Sequence, residues 1–448
     1  MIRTTLLWML IAWLGLAAWK DWYRSLCGLI LLMGILHHPD MPNSVFDIPG
    51  LNPWNLLLLM VFVGWLSQRQ FGGYKWDMPS NFRILLLLYL AVIVLAFFRM
   101  IWDLDGLKYY SSVTGRAIPT TAGFWNDYLF NTIKWAVPGI LLFDGCRTDA
   151  RLKMVLAAIL GGYLLIALQV IKCVPIQTLI ESSSSLSEKT VNLLRKDVGY
   201  HRTDLAVMLA GSFWALFSVM DIYQFRKWSG FMHVAGLLLI LLALALTGGR
   251  GGYLAWVVIG LFFCLFRYRK LLLILPILVT IALPFAPSLV NRITEGVTAE
   301  GEVDQNTLTA GRSVAWPLVI EKIVEAPIIG YGRDGMRQTD IAARIFSDYG
   351  DSAPHPHNAY LEMLLDNGLI GFAIVISFYL LMMKNSIRLF ADRDSLSNRV
   401  VGGVSLSLIG AHLIGSLTGQ TFYPREATVG MWCAIGLLLR MISNRCAH

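Results

Sequence analysis

The sequence predicts an all-α protein: a polytopic integral membrane bundle of about twelve transmembrane helices that carries a helical loop domain on one face. Three observations predict it. Hydrophobic residues make up 56% of the 448 positions and charged residues only 15%, and mean hydropathy is +0.60, which lies outside the soluble globular range. Apolar runs such as LLWMLIAWLGLAAW, LLLLMVFVGWL, ILLLLYLAVIVLAFF, VAGLLLILLALAL and LLLILPILVTIALPF recur along the chain, each near the ~20 residues a helix needs to cross a bilayer. Short basic clusters alternate with the connections between these runs, as they do in chains threaded back and forth through a membrane.

Taken in order, the first run follows Arg3 and ends in small residues, yet no small-x-small cleavage site follows and Lys20-Asp21-Trp22 leads straight into another apolar run. It therefore reads as a retained segment and not as a removed signal. Lys20/Arg24, Arg69/Lys75/Arg83, Arg147/Arg151/Lys153, Arg226/Lys227, Arg267/Arg269/Lys270, Lys384/Arg388/Arg393/Arg399 and Arg440/Arg445 mark one face, which the positive-inside rule makes cytoplasmic. The opposite face receives 39–53, about 100–127, 176–201, 247–251, 291–357 and 419–426. This register puts the C-terminus in the cytoplasm and leaves the side of the N-terminus open. The net charge of +8 is spread among small loop clusters, so it reads as topology and excludes a nucleic-acid patch. Cys27, Cys146, Cys173, Cys264 and Cys433 lie in or beside apolar segments and Cys446 in the tail; they give no disulfide framework. The stretch ESSSSLSEK within 176–190 reads as a polar loop.

The connection from 291 to 357 is too long for a bare loop. SVAWPLVIEKIVEA sets Val314, Leu318, Val319 and Ile323 at helical spacing behind a candidate N-cap, Ser313, and GMRQTDIAARIF predicts a second helix beyond the turn-rich APIIGYGRDG. A helical cap on the outer mouth is expected, dividing the chain into a transmembrane bundle over 1–290, a periplasmic loop over 291–357 and C-terminal transmembrane helices over 358–448.

Titratable residues gather on that face. Arg250 lies in TGGRGGYLAW where one apolar segment ends and the next begins, Arg312 opens the loop helix in TAGRSVAW, and His357 stands in HPHNAYLEMLLDNGLIGF at the mouth of a long helix. An ionisable group at membrane depth is costly and points to function, although a snorkelling arginine and a solvated helix start are the ordinary alternatives. Forked guanidinium groups suit a diphosphate, and a histidine near neutral pKa can take a proton from a hydroxyl. His355 and His357 with Asp348 and Asp351, or His37 and His38 with Asp40 and Asp47, could be read as metal ligands. Neither set has HExxH or paired-carboxylate spacing, so no metal is expected. No P-loop, GxSxG, CxxC or dinucleotide fingerprint stands in a supporting context.

His357-Asn358, nine residues, Gly368, two residues, Gly371, together with Arg250-x-x-x-Leu254 and the segment GRSVAWPLVIEKIVEAPIIGYG, resemble the bacterial O-antigen ligase and polymerase family over about 200–371. The resemblance implies a fold like that of the polyprenyl-dependent membrane glycosyltransferases. It also implies an activity, transfer of a glycan from undecaprenyl diphosphate on the periplasmic face of the inner membrane, with no nucleotide, metal or other cofactor. His357 would be the base, with Arg250 and Arg312 as the diphosphate clamp. Arg202 and Arg333 are added as substrate-binding candidates on their position alone, with Asn358 and Tyr331 beside them. Partners would be the undecaprenyl-diphosphate-linked donor, membrane lipids and an acceptor. The acceptor is the lipid A core in ligases, a second lipid-linked repeat in polymerases and a protein side chain in a further branch; the ligase is preferred. A transporter that binds an anion on its arginines and relays protons through His357 is the alternative of another class. It lacks the internal repeat and paired interrupted helices expected of one.

Overall fold

The computed structural model describes residues 2–39, 41–42, 50–72, 76–180, 190–220, 222, 227–282, 286–294, 312–350 and 354–446. They are helical with no strand among them. Five of the described helices are long and apolar enough to cross a membrane: Ser80–Trp102, Asp149–Cys173, Gly230–Thr247, Ala359–Phe390 and Glu426–Arg445. The chain is thus a multi-pass membrane protein.

Several apolar runs take forms that reading them one by one did not anticipate. The first two join in α1 (Ile2–Leu32), which bends without a loop at Asp21, where φ is −148° and ψ 85°; Arg24 closes the bend through an ion pair to Asp21 at 2.9 Å. LLLILPILVTIALPF supplies, among the described residues, the 12-residue helix Leu271–Ala282 with Pro276 inside it, about 18 Å of rise. The further helices complete the described set. They are α2 (Pro53–Gly72), α3 (Ser80–Trp102), α4 (Asp105–Thr114), α5 (Val137–Gly145), α6 (Asp149–Cys173), α7 (Arg202–Ser218), α8 (Lys227–Thr247), α9 (Arg250–Phe266), α10 (Leu271–Ala282), α11 (Pro287–Thr294), α12 (Arg312–Glu325), α13 (Gly335–Gln338), α14 (Ile341–Tyr349), α15 (Ala359–Phe390), α16 (Leu396–Gly415) and α17 (Val429–Cys446).

The core lies where α7, α15, α16 and α17 meet, with Trp214, Phe378 and Trp432 fully buried. At the end of the bundle away from the histidine motif, basic residues tie helix ends together. Arg440 is buried and grips Asp77 in a fork, 2.7 and 2.8 Å, Arg69 and Arg147 share Asp144, and Arg445 pairs with Asp392.

The loop 291–357 has its own structure in the part described. α12 forms where the spacing predicted it, burying Ala315 and Val319; the side chain of the expected cap Ser313 lies outside the described residues. The second predicted helix is two, α13 and α14, broken at Thr339-Asp340. They build a small core of their own with Met336, Ile341, Ala342 and Ile345 against Leu365 and against Tyr110 of α4. That last partner comes from the 100–127 connection, which the sequence presented as a plain link.

Candidate functional site

The histidine motif is fixed by its helix start. Asn358 has extended backbone and caps α15, its side-chain oxygen accepting from Tyr360 N at 3.0 Å and Leu361 N at 3.3 Å, which satisfies donors that a helix start leaves open. His357, one residue earlier, has φ of +51°, a left-handed conformation uncommon outside glycine and typical of sites where surrounding contacts over-determine the backbone. Those contacts come from several directions. Ala359 N donates to Ser416 O at 2.8 Å, Tyr360 Oη to Leu413 O at 2.9 Å, and Trp316 Nε1 of α12 to Pro356 O at 2.9 Å. His355 stacks 4.1 Å from His357, and its Nδ1 accepts from His357 N at 3.3 Å. Burial, then the neighbouring His357 and Arg425, push the His355 imidazole down to about 2. Its Nδ1 serves as an acceptor that positions His357, two residues on.

Beside this motif, the glycines around Arg250 seat three further arginines. A Cβ on Gly249 or Gly252 would come 2.4 Å from Ala206 Cβ, so only glycine lets α9 cross α7 this closely, and the crossing brings in Arg202 at the α7 start. Gly251 faces Thr418, whose carbonyl accepts from Arg312 Nη2 at 3.4 Å. Gly248 O accepts from Arg292 Nε at 3.1 Å. Four guanidinium groups from α7, α9, α11 and α12 therefore surround one turn. Each feels the next: burial, then Arg202 and Arg250, push Arg292 down to about 10, and burial with Arg250 pushes Arg312 down. Nε of Arg312 is buried without a hydrogen-bond partner. Like charges held this close disfavour one another, and an arrangement of this kind is complementary to a multiply charged anion with planar acceptor pairs, such as a diphosphate.

Sequence reading brought Arg202, Arg250 and Arg312 into the candidate set and missed Arg292. The available signal was PSLVNRIT, an amphipathic helix just past an apolar run with its arginine on the inward side; Arg292 is only 6% exposed.

Arg333 and Tyr331 go elsewhere. Tyr331 Oη donates to Glu325 Oε2 at 3.2 Å, in the cap. Arg333 lies 3.4 Å from Glu362 and 3.7 Å from Asp366, over the Tyr423 ring, while Gln420 Nε2 donates to Glu362 at 2.7 Å and Tyr423 Oη to Asp366 at 2.9 Å. Two of the carboxylates that crowd the motif are thus the buried partners of one arginine.

Gly368 of the motif breaks α15, with φ 59° and ψ −166°. The segment 327–332 repairs the broken ladder. Leu365 O and Asp366 O accept from Tyr331 N at 2.9 Å and Gly332 N at 2.8 Å, while Leu369 N and Ile370 N donate to Pro327 O at 2.8 Å and Ile328 O at 3.2 Å. Arg99 donates to the carbonyls of Ile329 and Gly330 from the other side. The turn-rich APIIGYG is therefore the clamp that holds the motif helix in two pieces.

Of the residues weighed as metal ligands, Asp40, Asp47 and Asp351 lie outside the described residues; His37 packs edge-on against Tyr200 at 4.8 Å. Among the described residues no three His, Cys, Asp or Glu side chains gather in a metal-holding group.

Comparison with known proteins bears on this region. The sequence model of the family described as O-antigen ligase matches residues 235–376, a span that contains Arg250, Arg292, Arg312, His357 and Gly368. A Rickettsia conorii protein named "Putative polysaccharide ligase" is 25% identical over 207 residues, 44% of this chain and 48% of its own. A Rickettsia prowazekii protein of the same name is 24% identical over 206 residues, 44% and 49%. A Haemophilus influenzae protein named only as uncharacterized is 29% identical over 180 residues, 35% and 44%. The chain spans about half the length of the curated relatives it matches. The resemblance to the O-antigen ligase family is thereby shown.

Proposed function

We propose that this chain transfers a glycan from undecaprenyl diphosphate to a sugar hydroxyl of the lipid A core, as a metal-independent glycosyltransferase without cofactor, at the periplasmic face of the bacterial inner membrane. The observation that carries the reading is the convergence of Arg202, Arg250, Arg292 and Arg312 on one turn beside the helix that begins with His357 and Asn358. In this reading His357 takes the proton of the acceptor hydroxyl as its oxygen bonds to the anomeric carbon. The bond from that carbon to the diphosphate oxygen breaks, and the electron pair leaves on the diphosphate. Arginines that bind the diphosphate more tightly as its charge grows lower the barrier.

About twelve crossing helices, a likeness to polyprenyl-dependent membrane glycosyltransferases and the division at 290 and 357 belong to the same proposal. α1, α2 and α16, with 31, 20 and 20 residues, are long enough at about 1.5 Å per residue to add crossings. The name carried by the Rickettsia relatives favours a ligase. A polymerase or an O-linked protein oligosaccharyltransferase would use the same residues with a different acceptor.

The clamp has a direct test. Bidentate recognition needs the guanidinium fork, which lysine lacks, so Arg250→Lys, Arg292→Lys and Arg312→Lys each lose donor binding and transfer nearly as completely as alanine variants. Arg116→Lys, in an exposed turn, serves as the control. Near-normal transfer in the three lysine variants would rule out a forked clamp.

A further inference from the structure

A cavity of about 500 Å³ opens next to the site, lined among the described residues by parts of 36–42, 50–55, 127–135 and 420–426 and by Arg333. It is within the ~300–1,000 Å³ typical of small-ligand sites and far above the ~30 Å³ share of one water. Three side-chain atoms of lining residues are buried without a hydrogen-bond partner: His37 Nε2, Asn55 Oδ1 and Arg333 Nε. Buried polar atoms are normally partnered, and three orphans on residues around one cavity set it apart from an apolar gap.

The lining decides which kind. Lys134, Arg333 and Arg425 are balanced by Asp127 and Glu426, and Asn55, Asn131 and Gln420 add neutral amides. Carboxylates in the wall disfavour a second diphosphate, in contrast to the arginine cluster. A mixture of donors, acceptors and an aromatic, Trp135, suits a neutral polyhydroxyl ring that offers hydroxyls in every direction and an apolar face. Burial pulls the His37 imidazole down, so it adds no charge to the cavity at neutral pH.

The position is equally informative. Arg425 lines the cavity and pairs with Asp204 at 2.9 Å, two residues into the helix that Arg202 begins, and Arg425 is also among the charges acting on His355. Arg425 thus links the cavity to the start of the helix that carries Arg202 and to the histidine motif.

We infer that this cavity is a saccharide subsite, holding sugar rings next to the reacting centre. The assignment rests on the transferase reading for its purpose but not for its chemistry. The saccharide has two sources, the acceptor core and the glycan of the donor, and the experiment separates them. Binding of lipid-free core oligosaccharide, of lipid-free repeat-unit oligosaccharide and of undecaprenyl diphosphate without sugar is measured calorimetrically on the full chain in nanodiscs. His37→Phe keeps the edge-on contact with Tyr200 and removes Nε2; Asn131→Trp fills the cavity from another segment, so that a folding failure of one does not decide the result. Both variants are expected to weaken one of the two oligosaccharides about tenfold, the worth of one neutral hydrogen bond, and to leave undecaprenyl diphosphate binding unchanged. The oligosaccharide affected names the source. Wild-type protein that binds neither oligosaccharide, or folded variants that bind both as wild type does, would overturn the subsite. Arg250→Lys provides the independent arm: if it leaves undecaprenyl diphosphate binding intact, the forked clamp of the transferase reading fails while the cavity result stands.

Discussion

The two histidines of HPH have different work, and the difference is set by one hydrogen bond and a backbone angle. His357 carries the strained φ of +51° and His355 the buried acceptor that helps hold it there. Removal of a general base costs about 10²–10⁴ in rate, so His357→Ala should abolish transfer in a protein that still inserts and folds. His355→Gln, which keeps an acceptor, should retain measurable transfer; the reverse pattern would exchange the two roles. His355 also makes a pH prediction. Its folded value lies far below the ordinary ~6.5, so below about 6.5 the unfolded chain takes up a proton that the folded chain refuses. Stability is therefore full above that pH and falls as pH drops from about 6.5. Melting temperature in detergent should decline between pH 7.5 and 5, and less steeply in His355→Gln; some slope remains because His37 and His201 shift the same way. An identical slope in the variant would remove His355 from the account. Arg202, Arg250 and Arg312 were legible because arginine beside apolar sequence is rare enough to stand out. Arg292 was not, since an arginine seven residues beyond a proline-broken run looks like an ordinary loop cation, and only the Gly248 carbonyl shows where it points. Arg333 and Tyr331, chosen on position, take their contacts in the Glu362/Asp366 network and the cap, and Arg333 also lines the cavity.

At the scale of elements, the motif glycines explain themselves only in three dimensions. Gly368 reads in sequence as a mark of resemblance, and nothing in its neighbours announces a broken helix stitched by 327–332. Its φ/ψ pair lies in a region open essentially to glycine alone, and a Cβ there would come 2.3 Å from the Ile328 carbonyl carbon. Gly368→Ala should therefore destabilise by more than the ~1–2 kcal/mol charged for the left-handed conformation itself. Gly115→Ala gives the comparison, because Gly115 has φ of +69° with nothing within 4 Å of an added Cβ. Unfolding in detergent should rank Gly368→Ala clearly below Gly115→Ala; equal losses would mean the clamp is not rigid. The helices whose pattern was strongest, such as α3 and α6, were legible from periodicity and length. α1 and α10 were not legible to the same degree, because a kink and an internal proline change how two apolar runs are used without changing their composition.

For the whole molecule, composition and the recurring apolar runs pointed to an all-α membrane protein, and five of the described helices are long and apolar enough to cross a membrane. At one end of the bundle arginines pair with Asp77, Asp144 and Asp392. At the other, Arg425 and Arg333 also pair with carboxylates, while Arg202, Arg250, Arg292 and Arg312 lie close enough to act on one another. That gathering of like charge is the physical core of the functional reading, since it suits an anionic substrate. The most direct measurement is transfer by the purified chain given undecaprenyl-diphosphate-linked glycan and lipid A core. The account predicts glycan joined to the core, one undecaprenyl diphosphate released per bond formed, and neither product with His357→Ala. Passage of the lipid-linked glycan across sealed vesicles with no glycosidic bond made would contradict it.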